Sequence, residues 1–258
     1  MGARLGQHFL SDPSILRRIA AAAVADPGED VLEIGPGKGS LTRELAARAR
    51  RVVAIEADRA LAAALADACA GSNVTVVAGD ALKVPWPEAA VVCGNIPYQI
   101  TSPLVDRALR PPRPARIVFL VQDEVARRLA AAPGAEGYGA LTAGVRLVAT
   151  VERLFGVPAG AFRPRPRVDS AVVRLVPRAD PLVASEAEER RARTVVQALF
   201  QRRRQQLGRS VREAFGVGRE EAAPLLAAAG IAPAARPEVL APERFVALAR
   251  ALGPRLAS

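Results

Sequence analysis

The sequence predicts an α/β fold, a doubly wound and mostly parallel sheet, followed by a small C-terminal helical domain. Three observations carry this. Apolar runs of four to six residues alternate with helical segments over roughly the first 120 residues. Several of these runs end in glycine or an acid, the residue types of a strand's carboxyl edge. From Glu186 onward the signal is helical throughout, punctuated by Gly216, Gly218, Gly230 and Pro233.

Taken in order, Ser11-Asp12-Pro13 caps a first helix whose apolar face is Ile15, Leu16 and Ile19. Val31-Leu32-Glu33-Ile34 is a strand that runs into a glycine loop, and Ser40 or a neighbour starts a helix through Leu41 and Leu45. Residues 51–56 form the next strand and lead to an Ala/Leu helix ending at Cys69. Val74-Thr75-Val76-Val77 is the third strand, closing on Gly79-Asp80. Residues 89–93 form the fourth, which ends at Gly94, and residues 117–121 the fifth. Helices between them supply the crossovers that parallel strands need. After Gly137-Tyr138-Gly139 a helix precedes a β-rich stretch with a late strand at 168–176. Residues 177–181 break the pattern. Helices are then expected at 186–200 with a continuation past Arg204, at 219–229 and at 242–252. A boundary near residue 178 divides the chain into domains 1–177 and 178–258. Trp86 and Tyr138 read as packing residues.

Composition excludes several classes. Half of the 258 residues are apolar and mean hydropathy is +0.14, yet no stretch approaches the roughly 18 unbroken apolar residues of a membrane helix. The first residues contain no apolar signal core, so a cytoplasmic location and no membrane partner are expected. Cys69 and Cys93 make neither a disulfide framework nor a metal spacing, and a single histidine argues against zinc; no metal is expected. The net charge is +10 and only Lys38 and Lys83 are lysines, so the surplus is arginine. Arginine excess also accompanies a GC-rich genome. Whatever its origin, it favours polyanions through counterion release.

The site signals lie at the strand ends. Glu33-Ile34-Gly35-Pro36-Gly37-Lys38-Gly39 lets a ligand approach the backbone closely. Its spacing is not that of a dinucleotide fingerprint, and Glu33 would repel a phosphate. Glu56 ends the second strand, where a carboxylate can accept both hydroxyls of a ribose. Asp80 ends the third, where a carboxylate can accept from an adenine amine. Asn95-Ile96-Pro97-Tyr98 follows the fourth. Read alone, this tetrapeptide is as much a turn as a site. With the others it describes an adenosine-bearing, phosphate-free cofactor along the sheet edge, and S-adenosyl-L-methionine fits.

The chain resembles the ribosomal RNA adenine-N6,N6-dimethyltransferase family, closest to its small-subunit (16S) branch. The residues that carry the resemblance span nearly the whole chain: Gly6-Gln7-His8-Phe9-Leu10, the loop 33–39, Glu56, Gly79-Asp80, Asn95 to Tyr98, residues 122–126, Tyr138-Gly139, Phe162-Arg163-Pro164-Arg165-Pro166-Arg167-Val168-Asp169-Ser170-Ala171 and Phe200-Gln201-Arg202-Arg203-Arg204. The resemblance implies a Rossmann-like class I methyltransferase using S-adenosyl-L-methionine. His8 and Leu10 would cover the cofactor's methionine end, Gly35 and Gly37 line it, Glu56 hold ribose, Asp80 adenine, and Asn95 border both cofactor and target base. The family more often has Asn at His8 and Leu at Ile96. It also implies 16S rRNA in the 30S subunit or its precursor as partner, with a role in subunit maturation and a monomeric enzyme.

The expected chemistry is in-line methyl transfer to adenine N6, whose lone pair is delocalised into the ring. Asn95 and the Ile96 or Pro97 carbonyl would accept its hydrogens, while Tyr98 and, by resemblance, Phe162 sandwich a flipped base. Arg202, Arg203 and Arg204, with Arg209 and Arg212 on a predicted helix, read as RNA contacts once charge and resemblance are combined. Arg163, Arg165 and Arg167 would add to them. Two rivals stand beside this reading. One is a 23S rRNA adenine methyltransferase of the macrolide-resistance type, disfavoured by the Gln201-Arg202-Arg203 segment and by Ile100-Thr101-Ser102-Pro103-Leu104. The other is a mainly non-catalytic ribosome-assembly factor, disfavoured by the intact cofactor constellation. A DNA adenine methyltransferase is disfavoured by the absence of Asp-Pro-Pro-Tyr.

Overall fold

A computed structural model describes residues 8–256; Gly6 and Gln7 of the N-terminal motif, and the short extension before them, lie outside the described residues. The chain forms two compact units, Met1–Ala126 with Val151–Pro177, and Arg127–Thr150 with Arg178–Ser258. In chain order the elements are β1 (Phe9–Leu10), α1 (Pro13–Ala23), β2 (Asp30–Ile34), α2 (Ser40–Ala46), β3 (Arg51–Glu56), α3 (Arg59–Ala68), β4 (Val74–Ala78), β5 (Val91–Asn95), α4 (Thr101–Ala108), β6 (Arg116–Gln122) and α5 (Asp123–Ala130). They continue with α6 (Ala140–Arg146), β7 (Ala149–Val157), β8 (Phe162–Arg163), β9 (Ser170–Pro177), α7 (Glu186–Phe200), α8 (Leu207–Phe215), α9 (Arg219–Ala228) and α10 (Pro242–Leu252).

The first unit is built on a seven-stranded sheet in the order β4-β3-β2-β5-β6-β9-β7. Neighbours from β4 to β6 are parallel, and β9 runs antiparallel to β6. The predicted mostly parallel α/β sheet is therefore present. In β6 the run Ile117 to Val121 is fully buried, which explains why it is apolar at every position rather than at alternate ones. One face of the sheet presents Val31, Val52, Cys93, Val118 and Leu120 to a core completed by Ile15, Leu16 and Ile19 of α1 and by Leu41 and Leu45 of α2. Helix α1 starts as its sequence requires: the Asp12 carboxylate accepts the Ser14 and Ile15 N–H groups at 2.8 and 3.1 Å, and Pro13 occupies the first turn.

Sheet order reverses between β2 and β5: β2 is followed in the chain by β3 on one side, whereas β5 lies on its other side. This is the switch point at which a crevice opens beyond the carboxyl ends of the strands. Strand β5 extends two residues further than the apolar run indicates, so Gly94 and Asn95 belong to it. Gly94 is required there, because a Cβ would collide with the carbonyl oxygen of Ile34 on β2.

The second unit is helical, with α7 in contact with α6, α8 and α10, and α9 in contact with α8 and α10. The Ser185 hydroxyl caps α7, accepting the Glu188 N–H at 3.2 Å, and acids occupy its first turn. Residues 127–150, which the linear reading assigned to the first domain, cluster with this unit. The reason is burial: Thr142, Ala143 and Val145 of α6 are buried, and the Tyr138 hydroxyl donates to the Leu240 carbonyl at 2.9 Å. The helical signal past Arg204 is a separate helix, α8, which carries Arg209 and Arg212, and not an unbroken extension of α7. Helix α7 ends at Phe200 and residues 201–204 form turns before α8 begins, so the arginine run lies on a turn and not on a helix face.

Gly94→Ala should lower unfolding free energy by about 2–3 kcal/mol, because backbone rather than a flexible side chain has to yield. Gly160→Ala, where an added Cβ meets nothing within 4 Å, should stay within about 0.5 kcal/mol in the same urea titration.

Candidate active site

A cavity of about 330 Å³ occupies the switch point, within the volume range of small-molecule sites. The strand ends and the loops that follow them line it. Glu33, Gly35, Gly37 and Lys38 come from β2 and its loop, Glu56 from β3, Asp80 from the turn after β4, and Asn95 to Tyr98 from β5 and beyond. His8 and Leu10 close one side. Every residue expected to hold a cofactor thus lines one cavity.

The loop after β2 is shaped by two devices. Gly37 adopts φ +55°, and a Cβ there would stand 2.8 Å from the Phe9 ring. The Glu56 carboxylate bridges two loops, accepting Gly37 N–H on Oε2 and Asp58 N–H on Oε1, both at 2.9 Å. Glu56 is buried, so these charge-assisted bonds also offset its desolvation. Asp80 accepts the Leu82 N–H at 2.9 Å and lies 3.6 Å from the Lys83 ammonium.

Asn95 is oriented by the chain itself. Its Nδ2 donates to the His8 carbonyl at 2.9 Å, which leaves Oδ1 as the acceptor of the amide. The next residues are divided in the same way. The Pro97 carbonyl accepts Ile100 N–H at 3.1 Å and stands 3.4 Å from the Thr101 hydroxyl. The Ile96 carbonyl carries no hydrogen bond among the described residues. Of the two carbonyls expected to face an amine, Ile96 is the one with both lone pairs available. Tyr98 is held by a 2.9 Å bond between its hydroxyl and that of Ser170, a fully buried residue at the start of β9. Asp169 beside it accepts the Ala159 N–H at 2.8 Å. Ser170 of the sequence motif is therefore a support for the tyrosine, while Asp169 holds the backbone at Ala159.

Phe162, expected to sandwich a base with Tyr98, does not line the cavity. It is fully buried in the hydrophobic core, paired through β8 with Leu10 of β1. The ring that faces Tyr98 is His8, with centroids 6.1 Å apart and planes inclined by 28°. The His8 ring is fixed by Nδ1–H donation to the Pro164 carbonyl at 2.8 Å. An aromatic letter in a loop does not reveal whether it turns to core or cavity; that depends on the two-residue pairing of β1 with β8.

Electrostatically the cavity is acidic, with Glu33, Glu56 and Asp80 against Lys38. Glu33 is 1 % exposed and its Oε2 has no hydrogen-bond partner among the described residues. Burial pushes its carboxyl up to about 8, and the Glu56 carboxylate adds to this, while the Thr42 hydroxyl and the Arg43 guanidinium act in the opposite direction. Among the described residues no group of three or more His, Cys, Asp or Glu is placed to hold a metal ion, and no helix is long and apolar enough to cross a membrane.

The family model described as ribosomal RNA adenine dimethylase matches residues 2–252. The chain belongs to the ribosomal RNA adenine dimethylase family. It is 42 % identical over 263 residues to ribosomal RNA small subunit methyltransferase A of Moorella thermoacetica, covering 96 % of this chain and 91 % of the relative. Among solved structures it is similar to a dimethyladenosine transferase from Plasmodium falciparum, with TM-score 0.86, 27 % identity and coverage of 96 % and 98 % of the two chains. It is also similar to the 23S rRNA methyltransferase ErmE, with TM-score 0.73, 34 % identity and coverage of 97 % and 100 %. As a dimethylase of this family, the enzyme dimethylates adenine in ribosomal RNA.

The arginines that the dimethylase motifs single out divide into three groups. Arg203 pairs with Glu238 at 3.0 Å and Arg209 with Glu213 at 2.6 Å, while Arg202 approaches Glu213 at 3.8 Å. Arg163 donates to the Gly160 and Phe162 carbonyls. Arg165, Arg167 and Arg204 are exposed, with no ion pair among the described residues. Ser170 and the backbone of His8 escaped sequence reasoning as functional residues. Their motifs were visible, but a hydrogen bond between residues 72 apart, or 87 apart, leaves no local signal.

The sign of the Glu33 effect is testable. Its folded-state carboxyl lies above the ordinary value of 4.5, so the stability tied to the neutral form is complete below 4.5 and is lost as pH rises through about 8. Over that window the free protein should lose up to about 1.4 kcal/mol per pH unit from this group. Glu33→Gln should flatten that part of the pH–stability curve in thermal or urea unfolding.

Proposed function

We propose that this enzyme dimethylates the N6 amines of two adjacent adenosines near the 3′ end of 16S rRNA, within the 30S subunit or its precursor. It acts as a cytoplasmic monomer that serves subunit maturation, with S-adenosyl-L-methionine as methyl donor. The observation that carries this is the orientation of Asn95. With Nδ2 held by His8, its Oδ1 and the Ile96 carbonyl form a pair of acceptors suited to the two hydrogens of an exocyclic amine. The name of the Moorella thermoacetica relative supports the small-subunit target.

The residues present fit the donor. A cavity walled by three acids disfavours phosphate and suits a cation, and the Glu33 oxygen without a hydrogen-bond partner is compensated only in part by Thr42 and Arg43. Glu56 would hold ribose hydroxyls, Asp80 an adenine amine, and His8, Leu10, Gly35, Gly37 and Asn95 the remainder. When bound, S-adenosyl-L-methionine supplies an electrophilic methyl group. Asn95 and Ile96 accept the N6 hydrogens and turn the nitrogen lone pair out of conjugation. Tyr98, braced by Ser170, stacks on one face of the base. Stacking of this kind is worth about 1–3 kcal/mol per base, against the few kcal/mol of unstacking it. No strong base is required, since N6 becomes acidic as it is alkylated. Proximity and alignment carry most of the rate.

Among the arginines that the sequence singles out, Arg165, Arg167, Arg204 and Arg212 are exposed without an ion pair among the described residues and are available to rRNA phosphates. Arg163 is engaged by backbone carbonyls, and Arg202, Arg203 and Arg209 exchange an internal carboxylate for a phosphate if they take part. Similarity to the 23S rRNA methyltransferase ErmE keeps a large-subunit target as the second reading.

Incubation with labelled methyl donor and unmethylated 30S or 50S particles should place label in 16S rRNA of the 30S particle; label in 23S rRNA alone would overturn the target. Asn95→Ala should slow transfer by about 10²–10³-fold, with a smaller loss of donor affinity in equilibrium dialysis, since Asn95 is one of several residues on the donor. Arg165→Glu combined with Arg204→Glu should weaken particle binding. The slope of log affinity against log salt should also become shallower, by about 0.9 for each phosphate that the double variant no longer neutralises.

A further inference from the structure

We propose that Glu33 senses ligand charge: its carboxyl is neutral in the free enzyme, ionises when a cationic ligand fills the cavity, and thereby favours the sulfonium donor over the neutral thioether product. This rests on the donor assigned above. Three observations on the chain itself support it. Glu33 lies on the cavity wall, it is 1 % exposed, and its Oε2 has no partner among the described residues. A carboxylate so placed needs a cation, and among the described residues no ion pair reaches it.

The surrounding charges do not replace that cation. From β3 comes the Glu56 carboxylate, which repels a second negative charge. From β5 comes the Cys93 thiol, aligned with Glu33 across the sheet and pushed above its ordinary value by burial and by Glu33. Asp80 after β4 adds negative charge to the same cavity. On the positive side, Arg43 of α2 opposes the upward shift without reversing it. Lys38 lines the cavity with its ammonium 5.0 Å from the centroid of the Phe9 ring, and His8 has its Nδ1 committed to Pro164. The upward shift of Glu33 to about 8 is the net result, so near neutral pH the free carboxyl retains its proton.

Methyl transfer breaks the S–CH₃ bond, leaving its electron pair on sulfur, forms the N–CH₃ bond and releases one N–H proton to solvent. The cavity thereby loses one positive charge, and Glu33 regains a proton from water. Product is held less tightly than donor by the same group that drew the donor in. An enzyme that adds two methyl groups in succession must exchange product for donor between them, and this bias assists the exchange.

Calorimetric titration of the full-length protein with S-adenosyl-L-methionine, and separately with S-adenosylhomocysteine, in two buffers of different ionisation enthalpy at about pH 7 counts the protons. The donor should release up to about one proton and the product fewer. The donor-to-product affinity ratio should rise with pH by up to about tenfold per unit until it levels near 8. In Glu33→Gln this rise should vanish; in His8→Asn, which removes the imidazole from the cavity, it should persist. Equal proton counts for the two ligands in the unaltered enzyme, or an unchanged pH dependence in Glu33→Gln, would overturn the proposal. The counts in the unaltered enzyme decide even if the variant fails to fold. Failure of both ligands to bind overturns the donor assignment and this proposal with it, whereas equal proton counts overturn the proposal alone.

Discussion

Strands β2 and β5 approach so closely at their carboxyl ends that a single Cβ on Gly94 would strike the Ile34 carbonyl. This contact governs the site. It brings the glycine loop after β2 and Asn95 at the end of β5 to opposite lips of one crevice, at the point where strand order reverses. A larger residue at 94 would part the two lips of the crevice. Methyl transfer depends on alignment more than on any strong acid or base, so a backbone contact that sets the spacing of two loops matters more than any one polar group.

Around that contact the chain distributes charge unevenly. Glu56 is buried but satisfied twice by loop amides, so it serves as a brace for the cavity wall. Glu33, a few residues from the same loop, is buried and unsatisfied. The two acids differ in environment and not in type: one is tied to backbone amides and the other has an oxygen with no hydrogen-bond partner among the described residues. The acceptor side is arranged on the same lines: Asn95 and Tyr98 each surrender one polar atom to the chain, the first to His8 and the second to Ser170, and the remaining face of each is aimed by that anchor. The helical unit carries 17 of the 36 basic residues, although salt bridges occupy several of those the motif draws attention to.

Much of this was legible in the linear chain because the relevant physics is local. Continuous apolar runs such as 117–121 mark strands buried on both faces, Asp12-Pro13 marks a helix start, and an acid or amide closing successive strands marks the edge of a parallel sheet. Strand spacing with helical crossovers leaves few topologies open. These features determined the fold class and which strand ends, from Gly35 to Asp80 and from Asn95 to Tyr98, line the cavity.

What only the tertiary structure decided are matters of direction and long-range pairing. Pairing of β1 with β8 turned Phe162 into the core and left the His8 ring facing Tyr98. Contact between α6 and α7 drew residues 127–150 into the helical unit, and the break after Phe200 moved the arginine run from a helix to a turn. Burial raised the Glu33 carboxyl above its ordinary range, whereas the likewise buried Glu56 is held by two loop amides, though both lie at strand ends beside the same loop. The reason is common to all four. Residue type and periodicity report what a side chain prefers, whereas its orientation, solvation and partners depend on segments tens of residues away, and those meet only when the chain is folded.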